Sequence, residues 1–434
     1  MGECGKRIKI LVLAYYVPPM GGVGVQRVLS LIKYLPRYGF DLVVLTSTPG
    51  VHKVMDESLL QVEQSPHCKV VRIGGELLRR RLEFAGKGRL HRIARLTLLK
   101  YLKYMDIYGA WSSRITDAAV ELATRENVDL VYSTSPPHST HLLARKIKSR
   151  LQLPWVMELR DSMTVWPLRR PGLLTRILSR IEFHYEPGLY RDADGVVFVT
   201  PSQQSHARQR VPSLQLEKTA VITNGFDEER ALSTASTSLK NRFRLTYTGS
   251  LSDFDLSTFC KALGIFAQSE AMREVGVEFI VVGAVDPVSL GLLESLRGKV
   301  DLRVIGVVPY AEALAYQSSA DCLLLVQTAN HGNAGDEILT GKVFEYIAAR
   351  KPILAAAIPG DLTRLIEDNQ FGAVANPFQV DQIVAALEAC YSCAHDADWL
   401  RQRAEKSLVA YTRGEKARET AAFIHHVLEG HPVG

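Results

Sequence analysis

Short apolar runs rich in Val, Ile and Leu recur along the chain, separated by longer stretches in which apolar residues return at helical spacing. The first pattern predicts strands and the second amphipathic helices. Strands are predicted over Ile8 to Tyr15, Asp41 to Thr46, Lys69 to Ile73, Asp129 to Ser133, Trp155 to Leu159, Gly195 to Val199 and Ala220 to Thr223. A second series covers Leu245 to Gly249, Val277 to Gly283, Leu302 to Gly306, Cys322 to Gln327, Pro352 to Ala356 and Ala373 to Ala375. Most are apolar throughout, as in parallel strands covered by helices on both faces. Two doubly wound α/β domains are therefore expected, joined near Phe226 to Asn241, where charge and a Ser/Thr-rich stretch replace the pattern. The boundaries read as 1–225 for the first domain, 226–410 for the second, and 411–434 for a C-terminal helix that crosses back to the first. Ligands of such sheets bind beyond the carboxyl ends of the strands, which points to a cleft between the two.

Length and composition fit this picture. The chain has 434 residues, 47% hydrophobic and 23% charged, too long for one core. The first apolar run is short and meets Pro18-Pro19, so neither a signal peptide nor a spanning helix is expected, and the location reads as cytoplasmic. Six scattered cysteines do not form a disulfide framework. Cys390-x-x-Cys393 lacks the second pair a zinc site needs and reads as part of a helix.

Charge changes the picture more. The net charge of +6 is uneven: residues 1–200 hold 30 Lys+Arg against 18 Asp+Glu, and of the totals of 52 and 46 this leaves 22 against 28 for residues 201–434. Between Arg72 and Lys103 ten basic residues, among them Arg79, Arg80 and Arg81, face only Glu76 and Glu83. Leu90, Ile93, Leu98, Tyr101 and Met105 give the same region an apolar helical stripe. A basic amphipathic helix suits an anionic membrane surface, and a helix docked on the sheet with a solvated charged face fits equally well. No base-reading module accompanies the charge, so nucleic acid is not expected as a partner.

Two glycine-rich segments carry candidate chemistry. PPMGGVGVQR (Pro18 to Arg27) follows the first strand, and Gly22-x-Gly24 begins like a dinucleotide fingerprint. The third glycine position holds Arg27, however, and the second strand ends Leu45-Thr46-Ser47 without an acid for a ribose, which disfavours NAD. No Gly-x-x-x-x-Gly-Lys-Ser/Thr loop is present. What remains is a small-residue turn into a helix whose free N–H groups can meet an anion or a sugar hydroxyl.

The stronger signal is NHGNAGDEILTGKVFEY (Asn330 to Tyr346), a polar loop leading into a helix predicted from about Thr340. Such a terminus offers unpaired N–H donors to a phosphate, and Lys342 adds a full charge. Glu337 and Glu345 stand eight positions apart; were the segment wholly helical they would lie about 12 Å apart along the axis. That separation suits two parts of one extended ligand, such as a ribose and a second sugar.

These residues carry a family resemblance. Glu337-x7-Glu345 within Thr-Gly-Lys-Val-Phe-Glu-Tyr, followed by Arg350-Lys351-Pro352-Ile353-Leu354, resembles the paired-glutamate motif of family 4 retaining glycosyltransferases with the GT-B fold. PPMGGVGVQR resembles that family's glycine loop, Ser135 to His141 its cleft-facing loop, and Pro154 to Asp161 the following strand with its Arg-Asp ending. Ala193 to Thr200, Asn224 to Asp227 and Tyr247 to Leu251 then follow in the family's order.

The resemblance implies two Rossmann-like domains facing across a cleft, with a UDP- or GDP-sugar donor held mainly by the second. Glu345 would bind the ribose hydroxyls, Glu337 the donor sugar, and Thr340, Gly341 and Lys342 the diphosphate. Val304 and Ile305 would line the base, and Gly22 and Gly24 would approach from the first domain. His138 matches the family's cleft histidine, with His141 a close competitor; Arg160 and Asp161 would face substrate or pair with each other. No cofactor is implied, since the nucleotide-sugar is a substrate, and no metal is needed where helix dipoles and Lys342 supply the positive charge. The acceptor would be a lipid-linked glycan of the cell envelope, reached by a protein peripheral on the inner membrane face. A soluble acceptor is the close alternative, and a non-catalytic sugar-nucleotide-binding or scaffold protein a third. That third reading draws on one departure: Gly249-Ser250-Leu251-Ser252-Asp253-Phe254-Asp255 lacks the Arg and Lys that the family often carries there, with no base until Lys261.

Overall fold

The computed structural model describes residues 7–48, 55–74, 109–163, 184–231, 242–251, 255–327 and 332–430. Most of the basic stretch after Arg72, including Arg79 to Arg81 and the stripe from Leu90 to Met105, lies outside these residues, as do Ser252 to Phe254, Asn330 and His331. The chain divides into two compact units, residues 1–223 with 414–434, and residues 224–413.

The first unit is built on a parallel sheet of β1 (Ile8–Leu13), β2 (Phe40–Thr46), β3 (Cys68–Arg72), β4 (Leu130–Ser135), β5 (Trp155–Leu159), β6 (Gly195–Phe198) and β7 (Thr219–Val221), in the order β3-β2-β1-β4-β5-β6-β7. The central strands are buried on both faces, which is why their sequences do not alternate. Leu11, Leu13, Val131 and Met157 point to one core, and Ile10, Val12, Tyr132 and Val156 to the other. Helix α1 (Val23–Tyr34) follows β1, and α2 (Ser139–Leu151) follows β4.

The second unit repeats the plan with β8 (Phe243–Thr248), β9 (Val277–Val282), β10 (Asp301–Gly306), β11 (Cys322–Gln327), β12 (Ile353–Ala357) and β13 (Gly372–Ala375), ordered β10-β9-β8-β11-β12-β13. Every strand pair in both sheets is parallel. Helices α3 (Tyr310–Ser319), α4 (Lys342–Ala348), α5 (Val380–His395) and α6 (Ala397–Glu405) belong to this unit. All thirteen predicted strands are present, displaced at most two residues at either end. Cys390 is buried within α5, and Cys390 and Cys393 are both free thiols.

The long helix α7 (Arg413–Glu429) closes the first unit: Ala417, Ala421, Ile424 and Val427 pack into the core that holds β1 and β2. A methyl added at Gly195 of β6 would stand 2.8 Å from Val427 and 2.9 Å from Phe423, so the absent side chain there admits the helix. At the ends of the second unit, Phe226 donates its N–H to the Tyr411 carbonyl and accepts from Arg413 N–H, joining the two segments by which the chain enters and leaves.

Candidate active site

In both sheets the winding reverses at the neighbour pair where a strand meets its fourth, β1 with β4 and β8 with β11. The loops leaving the carboxyl ends of these strands diverge, and ligands of doubly wound sheets bind there.

In the first unit the segment after β1 holds Gly22 at φ 88°, a conformation that strains any side chain, with no atom within 4 Å of where a methyl would stand. Gly24 lies in the first turn of α1, 3.4 Å from the Tyr16 ring by the same measure. Arg160, just beyond β5, ties this turn to the loop after β4. Its Nη1 donates to the Gly24 carbonyl (2.5 Å), its Nε to Ser135 (2.7 Å) and its Nη2 to Pro136 (3.4 Å). Arg72 holds the other side of the turn through the Pro18 carbonyl, 2.6 Å. Asp161 is exposed beside it.

Arg27, which broke the dinucleotide fingerprint, is buried and pairs with Glu158 of β5 at 2.7 Å. The same guanidinium donates to the Thr223 carbonyl at 3.1 Å. Glu158 is wholly buried and also accepts from the Tyr132 hydroxyl (2.8 Å) and the Thr134 hydroxyl (2.6 Å). Burial works to raise the Glu158 carboxyl, but Arg27 and Thr134 outweigh it and hold it below the ordinary carboxylate range.

The two histidines separate clearly. His141 is fully buried, its Nδ1 2.8 Å from Ser133 Oγ, which also accepts from Trp155 Nε1 (2.7 Å). Burial, with His138 nearby, pushes His141 well below its usual range, so it is neutral. His138 caps the N-terminus of α2 at the end of the Ser135-Pro136-Pro137 loop, 3% exposed.

In the second unit β8, β9 and β10 lie side by side, and each runs into or ends on a glycine of positive φ: Gly249 (122°), Gly283 (132°) and Gly306 (85°). A methyl on Gly283 would stand 2.1 Å from the Gly249 carbonyl oxygen, and one on Gly249 would stand 2.7 Å from Lys342 Nζ. The bare edge therefore makes room for Lys342, which lies over the Tyr247 ring at 4.4 Å and donates to its hydroxyl at 2.7 Å. Burial lowers the Lys342 ammonium to about 8, opposed in part by the charge of Glu345. Glu345 is held at both oxygens, by the Tyr310 hydroxyl (2.8 Å) and by Gln317 Nε2 (3.3 Å), which also reaches Thr248 Oγ1 at 2.9 Å.

The segment between the two glutamates is not one helix. Residues Gly332–Glu337 form a 3-10 turn, Ile338 to Thr340 are irregular, and α4 begins at Lys342 with Gly341 as its cap. The helix predicted from Thr340 thus starts two residues later, and Leu339, just before it, packs partly buried against the core that holds Val343 and Phe344. Gln327, at the end of β11, holds the turn through the Gly335 carbonyl at 2.6 Å, and Gly360 lies against the Asp336 backbone, where a methyl would meet Cα at 2.5 Å. Glu337 is 8% exposed at the end of this turn. Val304 and Ile305 stand on edge strand β10, two strand spacings, or roughly 10 Å, from β8. Val304 is 38% exposed, and Lys261 is exposed on the Ser257–Ala267 helix.

Sequence reading missed Glu158, Tyr132, Tyr310, Gln317 and the role of Gly249 with Gly283. The glycines had a signal, three consecutive apolar strands running into Gly; the others had none. Among the described residues no group of His, Cys, Asp and Glu is arranged to hold a metal ion, and no helix is long and apolar enough to cross a membrane.

Two Rossmann-like units in one chain are the plan of the GT-B fold. HepE from Anabaena, solved with UDP and glucose, matches with a TM-score of 0.60 at 16% identity over 97% of this chain and 100% of its own. The α,α-trehalose 6-phosphate synthase of Burkholderia multivorans gives 0.62 at 11% identity, over 98% and 99%. WaaG, a glycosyltransferase involved in lipopolysaccharide biosynthesis, gives 0.54 at 16%, over 98% and 100%. Residues 21–225 match the family model of the glycosyl transferase 4-like domain, and the resemblance to family 4 glycosyltransferases of the GT-B fold is borne out. A comparison with curated proteins finds no match.

The Arg27–Glu158 pair gives a direct test. Replacing Glu158→Gln leaves a buried guanidinium uncompensated and should cost about 3–5 kcal/mol in urea unfolding. The double change Arg27→Met with Glu158→Gln should recover a large part, and strict additivity of the two single changes would remove the pair from the argument.

Proposed function

We propose that this chain is a retaining, metal-independent glycosyltransferase that moves a sugar from a UDP- or GDP-linked donor to a hydroxyl of a lipid-linked glycan in cell-envelope polysaccharide synthesis. The observation that carries the donor half is the glycine-ended edge of β8, β9 and β10 with Lys342 laid across it and Glu345 beside it. A diphosphate needs close backbone approach and positive charge, and a ribose needs a fixed acceptor; this edge offers all three. UDP in the HepE structure supports that base, and WaaG's role supports the envelope acceptor.

In this reading Lys342 leaves the Tyr247 hydroxyl to meet the diphosphate, and Glu345, oriented beforehand by Tyr310 and Gln317, takes the ribose hydroxyls. As the anomeric bond breaks, negative charge grows on the leaving diphosphate and is stabilised by Lys342, while Glu337 acts at the donor sugar. The acceptor hydroxyl attacks from the face the diphosphate leaves, and its proton passes to the departing diphosphate oxygen. The basic region around Arg79 to Arg81 holds the protein at the inner membrane face.

Three measurements test these assignments. Glu337→Ala should lower donor turnover by about 10²-fold or more, with the melting curve unchanged; normal turnover would remove Glu337 from the site. Because the free Lys342 ammonium titrates at about 8, donor affinity should be level below that pH and weaken by up to about tenfold per unit above it. Lys342→Met should flatten the profile, and a wild-type profile already level to pH 9.5 would exclude the lysine. Charge reversal of Arg79, Arg80 and Arg81 should release the protein from anionic liposomes; binding that persists, or is never seen, points to a soluble acceptor.

A further inference from the structure

A second group of cations in this unit stands at the opposite end of the sheet. Arg350 precedes β12, Phe371 immediately precedes β13, and Arg403 and Lys406 lie at the end of α6. They gather at the amino ends of the strands, whereas Gly249, Gly283 and Lys342 mark the carboxyl ends. The Arg403 guanidinium stacks 3.9 Å from the centre of the Phe371 ring, and Lys406 Nζ stands 4.8 Å from the same centre. Arg350 donates to the backbone carbonyls of Arg403 and, at 3.0 Å, Lys406; Lys406 Nζ donates to the Asn369 carbonyl at 2.8 Å.

Arg403 is the anomaly. It is 4% exposed, and none of its three guanidinium nitrogens has a hydrogen-bond partner. Among the described residues none of the three cations is paired with a carboxylate; their partners are carbonyls and an aromatic face. Buried guanidinium groups are ordinarily paired, since a desolvated charge without a partner opposes folding. Burial and the neighbouring charge of Arg350 together bring Arg403 down to about 10, and burial and Arg403 in turn lower Lys406. The C-terminal dipole of α6 offsets part of this repulsion but supplies no acceptor to Arg403. Arg350 itself sits at φ 58°, just past the end of α4, a left-handed position that usually goes to glycine. An arginine there accepts backbone strain to bring its side chain to this cluster.

We propose that Arg350, Arg403 and Lys406 form a binding site for a phosphate group. Phe371 is the floor beneath the guanidinium, whose three unpartnered nitrogens can be given to a bidentate oxyanion. Arg350 and Lys406 are half-buried and held by backbone carbonyls alone, so they are the side chains that turn aside to admit the anion. Tyr411 packs against the same ring and donates to Asn369 Oδ1 at 2.9 Å, which puts the site beside the segment by which the chain leaves the unit. Leu400 and Val409, both exposed, belong to the same stretch of chain. The phosphate can therefore be free or carried on a lipid headgroup.

The test uses the full chain and does not depend on the glycosyltransferase reading. In thermal melts, inorganic phosphate should stabilise the wild type beyond sodium chloride of equal ionic strength. Cosedimentation with phosphatidylcholine vesicles, with and without phosphatidylglycerol, forms the second arm. A response to phosphate alone identifies a free ligand, and a response to phosphatidylglycerol alone a headgroup; Arg403→Met must abolish whichever is seen. Lys406→Ala should weaken it several-fold, and both arms are run in the Lys342→Met background so that anion binding at the β8–β10 edge contributes nothing. In chloride Arg403→Met should melt at or above the wild-type temperature, because it removes an unpaired buried cation. Silence in both arms, a response that survives Arg403→Met, or a variant that melts below wild type in chloride would each overturn the site.

Discussion

The reversal of winding between β1 and β4, and again between β8 and β11, constrains everything built at the carboxyl ends of these sheets. Chain leaving a parallel strand has no neighbouring strand to satisfy its carbonyls and amides, so other groups must hold it. The first unit does this with arginines, Arg160 and Arg72, whose donors are spent on Gly24, Ser135, Pro136 and Pro18. The second uses neutral groups: the Tyr346 hydroxyl accepts from Thr248 N–H, and Gln317 spans Thr248 and Glu345. The consequence is electrical. Arginine donors at the first crevice are spent on backbone carbonyls, whereas at the second the Lys342 ammonium makes its hydrogen bond to the Tyr247 hydroxyl.

The two charged arrangements differ in what their burial achieves. Arg27 and Glu158 satisfy each other with help from Tyr132 and Thr134, and such a pair contributes little net stability compared with apolar residues of the same volume. Its effect is geometric, because it fixes the start of α1 against β5 and against Thr223. Lys342 is held in the opposite condition. A fall from 10.5 to about 8 corresponds to roughly 3 kcal/mol of lost preference for the charged form. A neighbouring anion restores that preference, which is the property the proposed diphosphate site draws on.

Sequence legibility followed the same division between local and long-range causes. Strands buried on both faces are continuous apolar runs, and the pattern of β5 or β11 needs no knowledge of neighbours. Helix α4 begins at Lys342 rather than Thr340, a two-residue shift of its start that apolar spacing alone does not resolve. Arg27 was visible only as a violation of a glycine fingerprint; its reason, Glu158, lies 131 residues away inside an ordinary strand. Gly249, Gly283 and Gly306 each look like a strand terminator. Their joint meaning depends on the order β10-β9-β8, which brings three separate segments to one edge.

The charge balance sharpens the reading of the second unit. Residues 201–434, which contain that unit, hold 28 acidic residues against 22 basic ones, so carboxylates are in surplus. Elsewhere in the unit they are used: Arg244 and Arg303 share Glu278, and Arg242 meets Asp301. At Lys342 the acidic neighbour is Glu345, whose oxygens are already engaged by Tyr310 and Gln317, and at Arg403 no acid is paired at all. Lys342 and Arg403 are buried far enough for desolvation to lower both, and they stand at opposite ends of one sheet; the two proposed anion sites give each of these charges a partner.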